Sequence, residues 1–439
     1  TFGCQMNEYD SQKLAKVLEP GYTSVDTPEA ADLIVINTCS VREKPEAKLF
    51  SMLGEMKQLK AHKPHLMVGV GGCVAQQEGR NIVDRSSVVD FVFGTHNISL
   101  VPALIESREK GAAPQVAVDY RDEWEELPLG FTGNERVSVF VSISRGCNKN
   151  CTYCIVPTTR GKEVSRATEE IKKEVRIAVH RGAREIVLLG QTVNSYGLDF
   201  TPRSSFVKLL QEISAIEGVE RIRFTSPHPQ EVRQDFIDLV CENPKICHHI
   251  HMPLQSGSDR ILKAMNRNYR REKYLRIIEQ MRARVPDMAV TTDIIVGFPG
   301  ETEEDFNQTM EILNTVRFDN SYSFVFSPRP GTKAAEMEDP VPFERKLEQL
   351  KILQARQEVI SAERLQSWQG RVVEVLLDGP SHIDKRKLQG RTSQNITLNL
   401  QTADETLVPG MLVPVLVSGA GRFTLKGDPL NAQPARAAF

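Results

Sequence analysis

Six of the eight cysteines in this chain stand where thiol chemistry could be concentrated. Cys147, Cys151 and Cys154 form a CxxxCxxC loop, Arg145-Gly-Cys147-Asn-Lys-Asn-Cys151-Thr-Tyr-Cys154. A tetrahedral zinc site needs a fourth ligand, and the next His or Cys in the sequence is His180. Three thiolates on a four-iron cluster instead leave one iron without a protein ligand, open to substrate or cofactor. A zinc site completed by a distant residue, such as His180 or Cys241, is the alternative. Cys4, Cys39 and Cys73 are nearly evenly spaced, at the period of a strand-plus-helix unit. Three thiols that converge from such units also suit an iron–sulfur cluster with one open position. The plainer alternative is three small buried hydrophobes, a common fate of free cysteine. Cys241 and Cys247 fit no ligand spacing and are assigned to packing.

Hydrophobic pattern shows which strands and helices carry these thiols. Asp32-Leu-Ile-Val-Ile-Asn37 and Leu66-Met-Val-Gly-Val70 have the composition of buried strands. They run into Thr38-Cys39-Ser40 and Gly71-Gly72-Cys73, each followed by a helical stretch, residues 41–59 and 74–82. Thr1-Phe2 would be the stub of a further strand, leading into Gly3-Cys4 and a helix over 9–18. Alternating strand and helix predicts an open parallel α/β sheet, with ligands outside the strand carboxyl ends.

The alternating run 137–143 delivers the CxxxCxxC loop. Helices are then predicted at 168–181, 205–216, 231–241, 259–265, 272–284 and 303–316, and strands at 185–190, 221–225, 249–254, 290–296 and 320–326. Six strands fall short of an eight-stranded barrel, so an open, partial (βα)6 barrel is expected, its chemistry at the strand carboxyl ends. The segments there are polar and glycine-rich: Gly190-Gln-Thr-Val-Asn-Ser-Tyr-Gly197, Ser226-Pro-His-Pro229, Pro253-Leu-Gln-Ser-Gly-Ser258 and Gly297-Phe-Pro-Gly-Glu-Thr302. Glycine there lets backbone approach a ligand closely.

Residues 343–366 carry Leu347, Leu350, Ile352, Leu353 and Val359 and read as a connecting helix. Beyond Trp368, short alternating runs at 370–377, 396–400, 412–417 and 422–426 predict a small antiparallel β-barrel, with a flexible tail from about Pro429. The expected division is therefore 1–125, 133–365 and 366–429.

Composition bounds the alternatives. The chain has 439 residues, 40% hydrophobic and 26% charged, enough for packed cores of about three domains. No apolar run approaches the ~18 residues of a membrane span, and no secretory signal is visible, so a reducing cytosol is expected. The chain begins at Thr1 rather than Met, so a few native residues are expected to precede it. A net charge of −2 excludes a uniformly basic nucleic-acid binder but not a local basic patch. Two basic concentrations are present: His382, Lys385, Arg386, Lys387 and Arg391, and residues 260–284, with nine Lys or Arg against Glu272 and Glu279. Each is either a phosphate-binding surface or a solvated face.

The CxxxCxxC loop resembles the signature of the radical S-adenosylmethionine (SAM) enzymes. Gly3-Cys4-Gln-Met-Asn7-Glu-Tyr-Asp10-Ser11, Asn37-Thr-Cys39-Ser-Val-Arg42 and Gly71-Gly72-Cys73 look like the methylthiotransferase domain, and the C-terminal barrel looks like a TRAM domain. Within methylthiotransferases, Cys4-Gln-Met-Asn-Glu-Tyr-Asp10, Cys154-Ile-Val-Pro-Thr-Thr-Arg160-Gly161 and Gln255-Ser-Gly-Ser-Asp-Arg-Ile-Leu-Lys-Ala-Met-Asn-Arg267 are similar to the branch acting on isopentenyladenosine in tRNA. The branches acting on threonylcarbamoyladenosine of tRNA or on a ribosomal protein aspartate are the alternatives, and a zinc-containing RNA-binding module is the non-enzymatic one.

The resemblance implies two [4Fe-4S] clusters, one on Cys147, Cys151 and Cys154 and an auxiliary one on Cys4, Cys39 and Cys73. The first would chelate SAM and cleave it reductively, and the resulting radical would take hydrogen from C2 of the adenine. The second would supply sulfur, and a second SAM the methyl group. No residue is implied as acid or base; the hard chemistry belongs to the cofactors. Tyr153, Gly190, Gln191 and Ser226 are the expected SAM contacts, with Gln191 where many such enzymes have glutamate. Asp293 and Arg329 would meet substrate or form structural ion pairs. Lys385, Arg386, Lys387 and Arg391 would touch RNA. The implied partners are a tRNA anticodon loop with its base flipped out, an electron-donor protein and a sulfur source. A monomer in the cytoplasm, with no membrane, is expected.

Overall fold

Leu33–Thr38, apolar and β-branched, forms a strand parallel to Met67–Gly72, which continues in parallel to Phe91–Phe93 and Gln115–Ala117. The computed structural model describes residues 1–40, 44–125, 127–129, 136–382, 384–401, 404 and 406–430. The outer two strands and the helix Val101–Glu109 between them add to the sequence reading; at three residues each, the strands are too short to show a period. Gly69 and Gly71 are required by this sheet, because a Cβ there would lie 2.3 and 2.2 Å from the rings of Phe91 and Phe93. Thr1-Phe2 is not a strand; it is tied by a Phe2 N–H bond to Asn37 O at 2.9 Å. Helix Gln5–Leu18 begins directly after Cys4, earlier than predicted. The helix predicted over 74–82 is two, Cys73–Glu78 and Arg80–Arg85, broken at Gly79 with φ +49°. Helix Lys44–His62 follows the first strand; Arg42 lies outside the described residues.

The six central strands are all present. Ser138–Ser142, Glu185–Leu189 and Arg221–Phe224 form one parallel sheet, and His249–His251, Ala289–Val296 and Asn320–Val325 a second. A parallel bridge between Ile222 and Ile246 connects them. One core unites them with the outer helices, including Val141, Ile186, Leu188, Ile250, Val290 and Val296. Each such buried side chain contributes roughly 1.5–3 kcal/mol. The alternate positions Thr291, Asp293 and Ile295 are half-buried on the inner face.

Helix Phe343–Gln366 has the predicted bounds but a different buried face. Leu353 and Ile360 are buried, joined by Lys346, Gln349 and Gln357, while Leu347, Ile352 and Val359 are exposed. Gln357 Nε2 donates to Phe318 O at 2.8 Å, while its Oε1 and that of Gln349 are buried without a hydrogen-bond partner.

The C-terminal barrel is closed from Val372–Pro380, Leu388–Thr392, Thr397–Leu400, Leu412–Ala420 and Leu425–Pro429. It is antiparallel except where Thr397–Leu400 pairs in parallel with Leu425–Pro429. Leu388–Thr392 is a strand that the sequence pattern does not reveal, since Leu-Gln-Gly-Arg-Thr shows no apolar alternation. Gly390 makes the crossing possible: a Cβ there would stand 2.1 Å from Leu376 O. The barrel docks at the amino ends of the central strands. Arg223 donates to Thr392 O at 2.6 Å and Ser393 O at 2.9 Å, Arg221 to Glu374 O at 3.0 Å, and the His248 N–H to Ser393 Oγ at 2.8 Å. The tail expected beyond Pro429 lies outside the described residues from 431 on. Among the described residues no helix is long and apolar enough to cross a membrane.

Candidate functional site: two groups of three thiols

The CxxxCxxC loop leaves a short hairpin, Ser144–Arg145 against Val164–Ser165. Gly146 sits at φ +73°, where a Cβ would be 2.0 Å from Lys162 O, and the Cys147 N–H closes on Gly161 O at 3.1 Å. Thr152 pins the far side: its N–H donates to Met265 O at 3.1 Å, its Oγ1 to Ala264 O at 3.0 Å, and its carbonyl accepts from the Ala334 N–H at 2.8 Å. Donors already face the sulfurs. The Lys149 N–H is 3.3 Å from Cys147 Sγ, Thr192 Oγ1 is 3.5 Å from the same sulfur, and Arg267 Nη1 is 3.6 Å from Cys151 Sγ. Burial pushes Cys154 up to about 12 and raises Cys147 as well. A bound metal would offset that burial, because it deprotonates a coordinating thiol outright.

Gly190, Gln191 and Ser226 lie at the carboxyl ends of two adjacent parallel strands. A Cβ on Gly190 would meet Ser144 Oγ at 2.6 Å. Gln191 Oε1 is buried with no hydrogen-bond partner. Ser226 holds φ +46°, a left-handed conformation that is uncommon for serine and strained. Tyr153 packs elsewhere, among Ile261, Met265, Phe298 and Phe326. Thr192, Asn194, His228 and Arg267 are residues the sequence reading missed as individuals, though three of them fall within strand-end segments it singled out. Asn194 and His228 lock two strand ends together, through the His228 N–H to Asn194 Oδ1 at 2.8 Å and Asn194 Nδ2 to His228 O at 3.0 Å. Burial, helped by Arg267 and Lys149, holds the His228 imidazole neutral by lowering it to about 2. On the inner face, His251 Nδ1 meets Thr291 Oγ1 at 3.0 Å and Nε2 meets Asp293 Oδ2 at 3.2 Å. Tyr322, opposite Asp293 in register, is edge-on to His251 at 5.8 Å and 49% exposed. Arg329 lies in a turn where its carbonyl accepts from the Thr332 N–H at 3.1 Å.

The other three thiols stand at the start of helix Gln5–Leu18, after strand Leu33–Thr38 and at the start of helix Cys73–Glu78. Gly3 is pressed onto Cys39: a Cβ there would be 2.4 Å from Cys39 Cβ and 3.1 Å from its Sγ. Gly72, at φ +91°, leaves no room for a Cβ beside Asn37 Oδ1 and Thr38 O, both at 2.3 Å. Hydrogen bonding with Cys39 brings the exposed Cys4 thiol down to about 5, aided by the Arg160 charge and the N–H groups of Asn7 and Met6. Burial raises Cys73. Among the described residues no three His, Cys, Asp or Glu side chains form a metal coordination shell as they stand. A four-iron cluster spaces its cysteines more widely than a single ion does. The donor chemistry fits such a cluster in both groups: three thiols, glycines that let the backbone pack closely beside them, and N–H groups directed at sulfur.

The basic residues divide. Lys385 and Arg386 are exposed, and Arg386 Nε rests on Asp384 Oδ1 at 3.1 Å. Lys387 is half-buried, its N–H on Asp384 O at 2.9 Å. Arg391 is exposed beside Asp378, and its carbonyl accepts from Arg221. The basic concentration over 260–284 is not a continuous surface stripe. Arg260 pairs with Asp305, Arg271 with Glu311, Arg282 with Asp319, and Arg284 with Asp238 and Glu242. The neutralising acids come from other elements, out of reach of local sequence reading.

Residues 141–313 match the model of the Radical SAM superfamily, and residues 1–94 that of Uncharacterized protein family UPF0004. The chain is 46% identical over 446 residues, covering 99% of it and 97% of the relative, to the tRNA-2-methylthio-N(6)-dimethylallyladenosine synthase of Ralstonia nicotianae. It is 44% identical over 438 residues, covering 98% and 95%, to the protein of that name from Burkholderia multivorans. Among solved structures, the radical S-adenosylmethionine methyltransferase TsrM from Kitasatospora setae superposes with a TM-score of 0.55 at 14% identity, over 74% of this chain and 72% of that one. That likeness is one of fold.

Proposed function

This chain belongs to the tRNA-2-methylthio-N(6)-dimethylallyladenosine synthase family of radical SAM enzymes, and on that premise we propose that it methylthiolates C2 of N6-isopentenyladenosine next to the anticodon of tRNA. The observation that carries this reading is near-complete coverage by relatives of that name, with three cysteines in the loop between Ser144–Arg145 and Val156–Arg160 and three at strand or helix ends.

Cys147, Cys151 and Cys154 would hold the [4Fe-4S] cluster that binds SAM, and Cys4, Cys39 and Cys73 a second cluster. When bound, these groups supply radical chemistry at an unactivated carbon, sulfur, and a methyl group from a second SAM. The chain's own part is positional. Gly190 gives backbone access, Gln191 offers an unpartnered buried acceptor to the SAM ammonium, and Ser226 at its strand end and Tyr153 within the loop are the remaining SAM contacts. His251, Asp293 and Tyr322 form the polar wall facing the reacting base. Lys385, Arg386, Lys387 and Arg391 contact the RNA backbone. Residues 1–125 then carry the sulfur donor, 133–365 the radical centre and 366–429 the RNA holder. An electron-donor protein and a sulfur source complete the cycle, in the cytoplasm.

Anaerobic reconstitution tests the reading. Wild type should carry about eight irons per chain with matching sulfide, and Cys147→Ala about half. Zinc without iron would overturn it in favour of an RNA-binding module.

A further inference from the structure

Helix Val156–Arg160, which follows the CxxxCxxC loop, ends with a side chain inside the other thiol group. Arg160 Nη2 donates to Asp10 Oδ2 at 2.8 Å and to Asn7 Oδ1 at 3.2 Å. Asn7 Oδ1 also accepts from the Cys4 thiol at 3.3 Å, and Asn7 Nδ2 donates to Thr38 O, beside Cys39, at 2.6 Å. The helix backbone is fastened to the same domain: His96 Nε2 meets Arg160 O at 3.0 Å and Thr95 Oγ1 donates to Thr159 O at 2.7 Å. Arg160 is only 5% exposed. A buried cation needs a partner, and Asp10 supplies one.

We propose that Arg160 is a positioning residue that fixes the Cys4, Cys39 and Cys73 site relative to the radical SAM loop and sets the charge environment of the cluster held there. This rests on the two-cluster reading above. Three thiolates around a cluster concentrate negative charge, and a fixed guanidinium nearby favours its reduced form. Asn7 and Asp10, conspicuous in the sequence only as part of a motif, thereby acquire a physical role, since they aim the guanidinium.

The test uses the full chain, reconstituted anaerobically, as wild type, Arg160→Met and Arg160→Lys, with both clusters titrated potentiometrically by electron paramagnetic resonance. In Arg160→Met the auxiliary cluster should shift to a more negative potential while the radical SAM cluster stays in place; Arg160→Lys should restore most of the shift. Hydrogen exchange of the metal-free chain supplies a second readout, with faster exchange expected at residues 3–10 and 73–76 in Arg160→Met. If Arg160→Met fails to load the auxiliary cluster, that faster exchange with rescue by lysine supports the proposal, and unchanged exchange overturns it. Unchanged auxiliary potential with both clusters loaded, or equal shifts at both clusters, also overturns it. A wild type that holds only one cluster would instead overturn the two-cluster reading itself.

Discussion

Arg267 Nη1 stands 3.6 Å from Cys151 Sγ, while its Nη2 donates to Pro253 O at 3.1 Å. One buried guanidinium thus spans a thiol of the CxxxCxxC loop and a strand-end segment of the partial barrel. Arg267→Met removes the donor to sulfur and leaves the stem. It is expected to lower stability by about 1–3 kcal/mol and to bring iron down toward one cluster per chain. Iron analysis and thermal unfolding of the same preparations check both.

Glu174, fully buried, pairs with Lys13 and Arg166 and accepts from Tyr9 Oη at 3.3 Å. Lys13 and Tyr9 belong to helix Gln5–Leu18, so this network joins the N-terminal sheet to the partial barrel. Glu174→Ala strands two buried cations and should cost about 3–5 kcal/mol. Tyr9→Phe should cost about 1 kcal/mol. Urea unfolding of the metal-free chain reads both, with the larger loss in the first transition.

Tyr322 is the half-exposed aromatic of the inner face. If it stacks on the flipped base, Tyr322→Ala should weaken binding of a fluorescent anticodon stem-loop by about 1–3 kcal/mol, while Tyr322→Phe should bind like wild type. Fluorescence anisotropy distinguishes them, and equal affinity of all three chains would remove Tyr322 from the interface.

His96 uses both ring nitrogens in the neutral form: Nε2 donates to Arg160 O at 3.0 Å and Nδ1 accepts from the Arg121 N–H at 3.4 Å. Burial, with Arg145 nearby, lowers it to about 4, against about 6.5 when unfolded. The unfolded chain therefore binds the proton first. The stability contributed by neutral His96 is full above about 6.5 and falls until pH reaches about 4. His96→Gln, which keeps a donor and an acceptor, should flatten the acid-side slope of unfolding free energy in that window.

The six chemical cysteines and the six central strands are legible because residue type, spacing and apolar runs are local signals. So is helix Phe343–Gln366, although its inward face differs from the apolar pattern: Leu347, Ile352 and Val359 are exposed, and buried Lys346 and Gln357 are invisible to a hydrophobic count. The pairs that hold the thiol groups, Arg160 with Asp10 and Arg267 with Cys151, join residues far apart in sequence and leave no periodic trace. The same distance hides Asp305, Glu311, Asp238 and Glu242, which neutralise the basic run over 260–284. Leu388–Thr392 escapes the pattern because its strand is specified by a close backbone crossing at Gly390 rather than by alternation.

Methylthiolation at C2 of an isopentenylated adenosine in tRNA can be read by mass spectrometry of tRNA nucleosides from cells lacking this chain and complemented with wild type, Cys4→Ala or Cys147→Ala. The 2-methylthio nucleoside should be absent without the gene and restored by wild type alone, with the unmodified isopentenyladenosine accumulating in its place. Persistence of the 2-methylthio group in the deleted cells, or its restoration by either cysteine variant, would contradict it.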